Sequence, residues 1–487
     1  MPDGSVASPG LNLIGGAWVP ASDGATFENR NPADTSDLVS THAAATERDA
    51  RAAVDAAAAA FPAWRAMAPG KRAAILDKAA AHLEAHAEQY GAELCREEGK
   101  LQSLAVAEVK RAAQTLRFYA VEGQTLTGET FPNDDPGQLV YTQLEPLGVA
   151  TVITPWNFPV SIPARKIAPA LITGNTVVFK PASDAPLIGL RLAEAFAAAG
   201  IPEGVLNLVI GPARAVGPAI TADPRVRAIS FTGSTAAGQT IHRSVPLTTR
   251  TQMELGGKNP IIVMPDADID TAVGLTIAGG FNLTGQACTG TSRVLVHAEI
   301  HDAFLAKLIE KTAALTVGPG ADAATKVGPL ASKAQLDNVL GYIEAGKAEA
   351  TLSHGGRQLT DPPLDKGHFV EPTIFSGVAP DARIAREEIF GPVLAVMEVK
   401  SYDQAVEIAN DSDYGLSASL VTNDFGLIQR FPGDIEAGTV KVNRTTTGNL
   451  VNAPFGGVKC SSTATFRESG RAGLDFFTQS KTVYLGR

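Results

Sequence analysis

Cysteine is scarce in this chain of 487 residues: Cys95, Cys288 and Cys460 are the full set. An odd, sparse set builds no disulfide framework and suits a reducing compartment, so a cytoplasmic protein is expected. Long apolar runs are missing too. None reaches ~18 residues, so no membrane-spanning helix is expected. The opening MPDGSVASPGLNLIGG lacks the basic-then-apolar order of a secretory signal. Basic runs are also absent. With 41 Lys and Arg against 51 Asp and Glu the net charge is −10, and nucleic acid is not an expected partner. Neither internal repeats nor low-complexity linkers occur. What is present, 45% hydrophobic and 19% charged residues, is the composition of a globular protein long enough for two or three domains.

Residues 11–40 hold brief apolar runs broken by Gly, Pro, Asn and Asp, the pattern of small strands and turns. Thr46 to Trp64 is Ala-rich and opens on a capping pair, Thr46 with Asp49, which predicts a helix. Ile75, Leu76, Ala79, Leu83 and Ala87 make a helical stripe and predict a second, long helix over Pro69–Glu98. A third is expected from Leu101 to Val121, and extended strands within 123–146. From Gly148 the pattern alternates. Val149–Ile153, Thr176–Phe179, Leu206–Ile210 and Val226–Phe231 read as strands, and Ala185–Ala199, 213–221 and Ser234–Arg243 as helices. That alternation implies βαβ units and a doubly wound parallel sheet, with ligands at the carboxyl ends of its strands. A second α/β region starts at Asn259. Its strands are expected at IIVM, at Val294–Val296 and at the end of 387–399. Its helices are expected after Asp268, over Ala303–Leu315, near 333–347 and over Tyr402–Asn410. The tail, 475–486, alternates apolar and polar residues like an edge strand, which suits a subunit contact.

Only Cys288 is enclosed by small or hydroxyl neighbours (Gly285, Ala287, Thr289, Gly290), which let substrate and backbone N–H groups approach a thiol. Cys95 and Cys460 read as inert. Phe231-Thr232-Gly233-Ser234 lies where a strand passes into a helix. It suits a phosphate at the helix start, although a plain tight turn has the same composition. Lys180, at a strand end before Pro181, has the reach to hold a ribose or phosphate; a solvated surface lysine fits the same stretch. Glu254, in MELGGK, sits among apolar and Gly neighbours, where burial would raise its pKa toward that of a general base. A carboxylate capping a nearby turn is the alternative. Asn157, in PWNFP, offers an amide to an oxyanion, or only fixes its own turn.

Six motifs occur together and in order: WNFP at 156–159, FTGS at 231–234, MELGGKNP at 253–260, GQAC at 285–288, EEIFGPV at 387–393 and PFGG at 454–457. The set resembles the aldehyde dehydrogenase superfamily over essentially the whole chain from about residue 12. The resemblance implies an α/β, aldehyde dehydrogenase-like fold in three parts. A Rossmann-type parallel sheet would form a dinucleotide-binding domain (1–122 and 147–257), beside a second α/β catalytic domain (258–455). Small oligomerisation strands (123–146 and 456–487) would make a homodimer or homotetramer. It further implies NADP or NAD as cofactor and Cys288 as the nucleophile that forms a thiohemiacetal and then a thioester. Asn157 and the Cys288 backbone N–H would bind the oxyanion, and Glu254 would activate the hydrolytic water. Cofactor contacts would come from Ile153, Thr154, Trp156, Lys180, Ser183, Phe231, Gly233, Ser234, Leu255, Glu388 and Phe390. Phe158 and Phe455 would line the substrate funnel. No residue is assigned to a metal.

Ser183 stands where many NAD-selective relatives carry Glu, so NADP should be accepted. Arg165, on a tunnel-facing helix by the same resemblance, would clamp a distal carboxylate, or else serve in an interdomain ion pair. Arg444 is a second candidate anchor. Within the superfamily, the run APFGGVKCSSTATFRESG…FFTQSKTVY is similar to α-ketoglutarate semialdehyde (2,5-dioxopentanoate) dehydrogenases. Succinate semialdehyde, or a broad range of aldehydes, is the alternative. Two other classes compete: a CoA-acylating relative, disfavoured by Glu254, and a non-catalytic dinucleotide-binding protein on the same fold.

Overall fold

A computed structural model describes residues 10–463 and 465–486 of the chain. Most of the opening segment read for a secretory signal therefore lies outside the described residues. Two seven-stranded sheets carry the architecture. In the first, the spatial order is Arg250–Glu254, Val226–Thr232, Val149–Ile153, Thr176–Lys180 and Leu206–Leu208, all parallel, then the antiparallel pair Asn12–Ile14 and Ala17–Val19. Val149–Ile153 and Thr176–Lys180 are buried throughout, as strands covered by helices on both faces must be. Numbered along the chain, the parallel strands stand in the order 3-2-1-4-5. The order reverses between Val149–Ile153 and Val226–Thr232, and the crevice at their carboxyl ends is where such sheets bind ligands.

The second sheet runs Thr351–His354, Thr373–Ser376, Val393–Val399, Thr291–His297, Asn259–Val263, Ser417–Val421 and Thr439–Val442. A third, three-stranded sheet pairs the tail strand Thr478–Leu485 with Leu139–Pro146 over eight register positions, and Thr130–Phe131 on its far side. The tail strand is thus an edge strand, as its pattern implied. Leu139, Leu144, Tyr484 and Leu485 stay exposed on this sheet.

Local chemistry explains most boundaries. The helix Glu47–Ala66 opens on a reciprocal capping box between Thr46 and Asp49. The expected single helix over Pro69–Glu98 is instead two, Pro69–Ala85 and Ala87–Glu98. His86 breaks it at φ −108°, ψ 12°, its ring stacked between His82 (4.2 Å) and Tyr90 (5.3 Å). The residue pattern gave no sign of the helix Ser161–Ile172, which carries Pro163 and Pro169 and is buried at all but Arg165. Its start is capped from outside: Glu108 Oε1, on the helix Gln102–Glu122, accepts from the Val160 and Ser161 N–H groups, each at 3.1 Å. That carboxylate takes the place of a local N-cap, since it satisfies donors the first turn leaves free.

Candidate active site

The site forms where the carboxyl ends of the first sheet meet the amino ends of the second. Glu254 closes a strand of the first sheet, Asn157 follows Ile153, and Cys288 precedes Thr291 at the start of a second-sheet strand. The turn before Cys288 is left-handed at three consecutive positions: Leu283 (φ 55°), Thr284 (φ 56°) and Gly285 (φ 70°). Such backbone costs roughly 1–3 kcal/mol per non-Gly residue and persists only when the surroundings over-determine it. They do so here. Thr284 Oγ1 donates to the Gly328 carbonyl (3.0 Å), and Gln286 Oε1 accepts from the Ala331 N–H (3.0 Å). Asn259 Nδ2 donates to the carbonyls of Cys288 (2.8 Å) and Gly290 (2.9 Å). A Cβ on Gly285 would lie 2.2 Å from the Gly391 oxygen, so only glycine fits.

Asn157 is buried, and its Nδ2 donates to the Gln286 carbonyl at 2.9 Å, which leaves the second amide hydrogen uncommitted. Beneath it lies a charged group that sequence reading missed. Lys100 Nζ donates to the Asn157 carbonyl (2.7 Å) and pairs with Glu108 (2.5 Å), with Glu98 at 3.8 Å. All three side chains are buried. Lys100 Nζ also lies 4.9 Å from the Phe158 ring centre. Because Glu108 holds the next helix start as well, one ion pair fixes both ends of the Asn157 loop. Neither Lys100 nor Glu108 was singled out from the sequence.

Glu254 is buried, with Oε1 accepting from Ser462 Oγ at 3.1 Å and Oε2 unpartnered. Burial and the neighbouring Glu468 charge raise its pKa well above the ordinary carboxylate value. Glu468 is held as the carboxylate by Lys166 (2.8 Å) and Arg165 (3.1 Å), which lower its pKa against its own burial. Lys166 Nζ donates further to Ser230 Oγ at 2.9 Å. Neither Lys166 nor Glu468 was singled out from sequence; Lys166 is masked there by standing inside an apolar helix. Cys288 itself keeps partial exposure, yet burial pushes its thiol up to about 12. Arg165 pulls the other way, while Glu388, Glu254 and Glu468 add to the rise.

Arg165 thus takes part in an ion pair, and its guanidinium also lies over the Phe455 ring, 5.4 Å from the centre. Of the roles expected for Arg165, the ion pair is the one the structure contains, with Glu468 as partner. Arg444 behaves differently: it is exposed near Lys441, whose pKa it helps lower, and is not among the residues around Arg165.

On the other side of Cys288 lies the crevice of the first sheet. Thr154 Oγ1 and Thr232 Oγ1, at the ends of the two strands flanking the reversal, are buried without partners. Ser234 caps the helix Thr235–Ser244, its Oγ accepting from the Ala237 N–H at 3.4 Å. A Cβ on Gly233 would strike the Phe231 ring at 2.6 Å. Lys180 is not a solvated surface lysine: it is buried, its Nζ donates to the Pro181 carbonyl (2.8 Å), and burial lowers its pKa to about 8. Ser183 Oγ donates to the Gly211 carbonyl at 3.3 Å. Across the crevice, Glu388 Oε1 accepts from the Gly257 N–H (2.9 Å), and burial raises its carboxyl to about 7. Phe390 is held left-handed (φ 58°) with its ring edge-on to Trp156 at 5.5 Å. Leu255 packs against Gly238. Lys258 Nζ is buried without a partner. Orphaned hydroxyls, buried lysines, a capped helix start and a carboxylate opposite make a donor set that fits a dinucleotide.

A family model described as the aldehyde dehydrogenase family matches residues 18–483. The chain belongs to that family. It is an enzyme of the NAD(P)-dependent aldehyde-oxidising kind. An α-ketoglutarate semialdehyde dehydrogenase of Haloferax volcanii is 45% identical over 98% of this chain and 99% of its own. A 2,5-dioxopentanoate dehydrogenase of Saccharolobus solfataricus is 42% identical over 96% and 98%. Among solved structures, a betaine aldehyde dehydrogenase of Staphylococcus aureus in complex with NAD+ superposes with a TM-score of 0.95. It is 33% identical and is matched over 98% of this chain and 96% of that one.

Proposed function

We propose that this enzyme oxidises an acid semialdehyde, foremost 2,5-dioxopentanoate, to the dicarboxylate. The relatives named for that substrate support the reading. The observation that carries it is Arg165. This half-buried cation sits beside Phe455, acts on the Cys288 thiol, and is ion-paired at Nη1. Its remaining donors suit the far carboxylate of a short chain whose aldehyde lies at Cys288.

In this reading Cys288 gives up its thiol proton to solvent, Arg165 favouring the thiolate against burial; the thiolate attacks the aldehyde carbon, and the new oxyanion accepts hydrogen bonds from the free Asn157 amide N–H and the Cys288 N–H. The chemistry NAD(P) supplies when bound is acceptance of the two electrons and hydrogen that leave that carbon. Lys180, Ser183, Gly233 and Ser234 would hold its adenosine and diphosphate side, with Ile153, Thr154, Trp156, Phe231 and Leu255 lining the crevice. Glu388 and Phe390 would hold its nicotinamide side. Cys288 is then a thioester. Glu254 takes a proton from water, the resulting hydroxide adds to the thioester carbon, and the C–S bond breaks to release the acid and the thiolate. A buried base beside the thioester favours water over CoA as acyl acceptor. Ser183, uncharged, leaves room for a 2′-phosphate, so NADP is accepted alongside NAD.

The two sheets would correspond to the dinucleotide-binding and catalytic domains. The exposed apolar residues of the third sheet would make a dimer or tetramer contact. With so few cysteines, none paired, we assign the enzyme to the cytoplasm. The test is NAD(P)H formation across 2,5-dioxopentanoate, succinate semialdehyde, glycolaldehyde and hexanal with each cofactor. The expected order has 2,5-dioxopentanoate first by kcat/KM. A lead for hexanal would refute the acid-semialdehyde reading, and a lead for succinate semialdehyde would move the substrate within that class.

A further inference from the structure

A second guanidinium shares the cleft with Arg165. Arg111, on the helix Gln102–Glu122, lines a narrow cleft together with Tyr119, Ser161, Arg165, Asn449 and Val451. Ser161 begins the helix that carries Arg165, just past the Asn157 loop.

The charge balance there is uneven. Glu468 already serves two cations, Arg165 and Lys166. Arg111 is half-buried and has only neutral acceptors: Nη2 donates to the Asn449 carbonyl and, at 3.3 Å, to Asn449 Oδ1. Among the described residues no carboxylate pairs with it. Its surroundings even oppose its charge, since burial and the positive Arg165 both lower its pKa. Removing a cation from water next to another cation is costly unless an anion joins them. Among the described residues no carboxylate joins the two guanidinium groups: Glu468 pairs with Arg165 and Lys166 alone.

The geometry points to Arg111 as a specificity-determining residue: it takes the distal carboxylate of the substrate, with Arg165 as the other wall of the anion site. The inference rests on the acid-semialdehyde reading and sharpens it. Arg165, fixed by Glu468 and Phe455, supplies a rigid wall. Arg111, tethered only to an amide, is the donor free to close on the ligand. Preference for an acid over the plain aldehyde of the same length should therefore depend on Arg111 in particular.

The experiment compares wild type, Arg111→Gln and Arg111→Lys as full-length enzyme. It uses 2,5-dioxopentanoate and pentanal as substrates and glutarate as an inhibitor competing with the aldehyde. In Arg111→Gln, the ratio of kcat/KM for the acid to that for pentanal should fall about 10- to 100-fold, the loss of one or two charged hydrogen bonds. The fall should come through KM, and the glutarate inhibition constant should rise by a similar factor. Arg111→Lys should keep part of both. An equal loss on both aldehydes, or an unchanged ratio and inhibition constant, would overturn the inference and leave Arg111 a structural residue. Failure of the underlying reading looks different: wild type itself would then prefer pentanal.

Discussion

Replacing Lys100 by Met removes the only ammonium from a buried group of two carboxylates and tests how the Asn157 loop is held. Lys100 and Glu98 are each at most 1% exposed at their side chains, and Glu108 is 4% exposed. Breaking a buried pair by removing one partner costs about 3–5 kcal/mol, because the other charge is left uncompensated. The cost must depend on pH. Burial raises the Glu98 carboxyl to about 8 even with Lys100 in place. A carboxyl raised in the folded state stabilises fully below its unfolded value, and that contribution disappears as pH climbs through the folded value. Without Lys100 the folded value rises further. Lys100→Met should therefore lose most stability near pH ~8.5 and distinctly less near pH ~5.5. Activity should fall as well. The Asn157 carbonyl loses its 2.7 Å ammonium bond, and a displaced oxyanion donor costs about 10- to 100-fold in kcat/KM. Thermal midpoints at the two pH values, with kcat/KM on one aldehyde, make the assay. Adding Glu98→Gln should reduce the pH dependence. A Lys100→Met enzyme as stable as wild type near pH ~8.5, or destabilised equally at both pH values, would refute the reasoning.

Four further outcomes are expected. Glu254→Gln should release one equivalent of NAD(P)H per active site and then stall; steady turnover at the wild-type rate would remove Glu254 from the hydrolytic step. Since the Glu254 carboxyl is raised well above its ordinary value, its basic form appears only as pH climbs through that raised value. Wild-type thioester hydrolysis should thus speed up with pH, and the stalled variant should not. Arg165→Met should slow alkylation of Cys288 by iodoacetamide, because the charge that favours its thiolate is gone; equal rates would mean Arg165 does not act on the thiol. Gly285→Ala would place a Cβ 2.2 Å from the Gly391 oxygen at φ 70°. It should cut kcat by about tenfold or more through displacement of Cys288, with a lowered thermal midpoint.

The sequence was informative where a residue's role is local. Thr46 and Asp49 announced a helix start because both halves of the capping box lie within one turn. The β-branched run Val149–Ile153 announced a covered strand, and the small residues around Cys288 announced a tight, accessible loop. Roles that depend on a distant partner were hidden. The Pro-bearing helix Ser161–Ile172 starts on a carboxylate supplied by Glu108, far back in the chain. Its Lys166 reaches Glu468, more than half the chain away. On its own stretch Lys180 read more readily as a surface lysine, until its burial was known. Arg111 carried no signal in its helix, because its meaning comes only from sharing a cleft with Arg165.

The most direct measurement is intact-mass and peptide mapping of Glu254→Gln enzyme mixed with 2,5-dioxopentanoate and NADP or NAD. A 2-oxoglutaryl thioester on Cys288, matched by one equivalent of reduced cofactor, is expected. Reduced cofactor with no adduct on Cys288, or an adduct only on Cys95 or Cys460, would contradict the assignment of the nucleophile and the chemistry built on it.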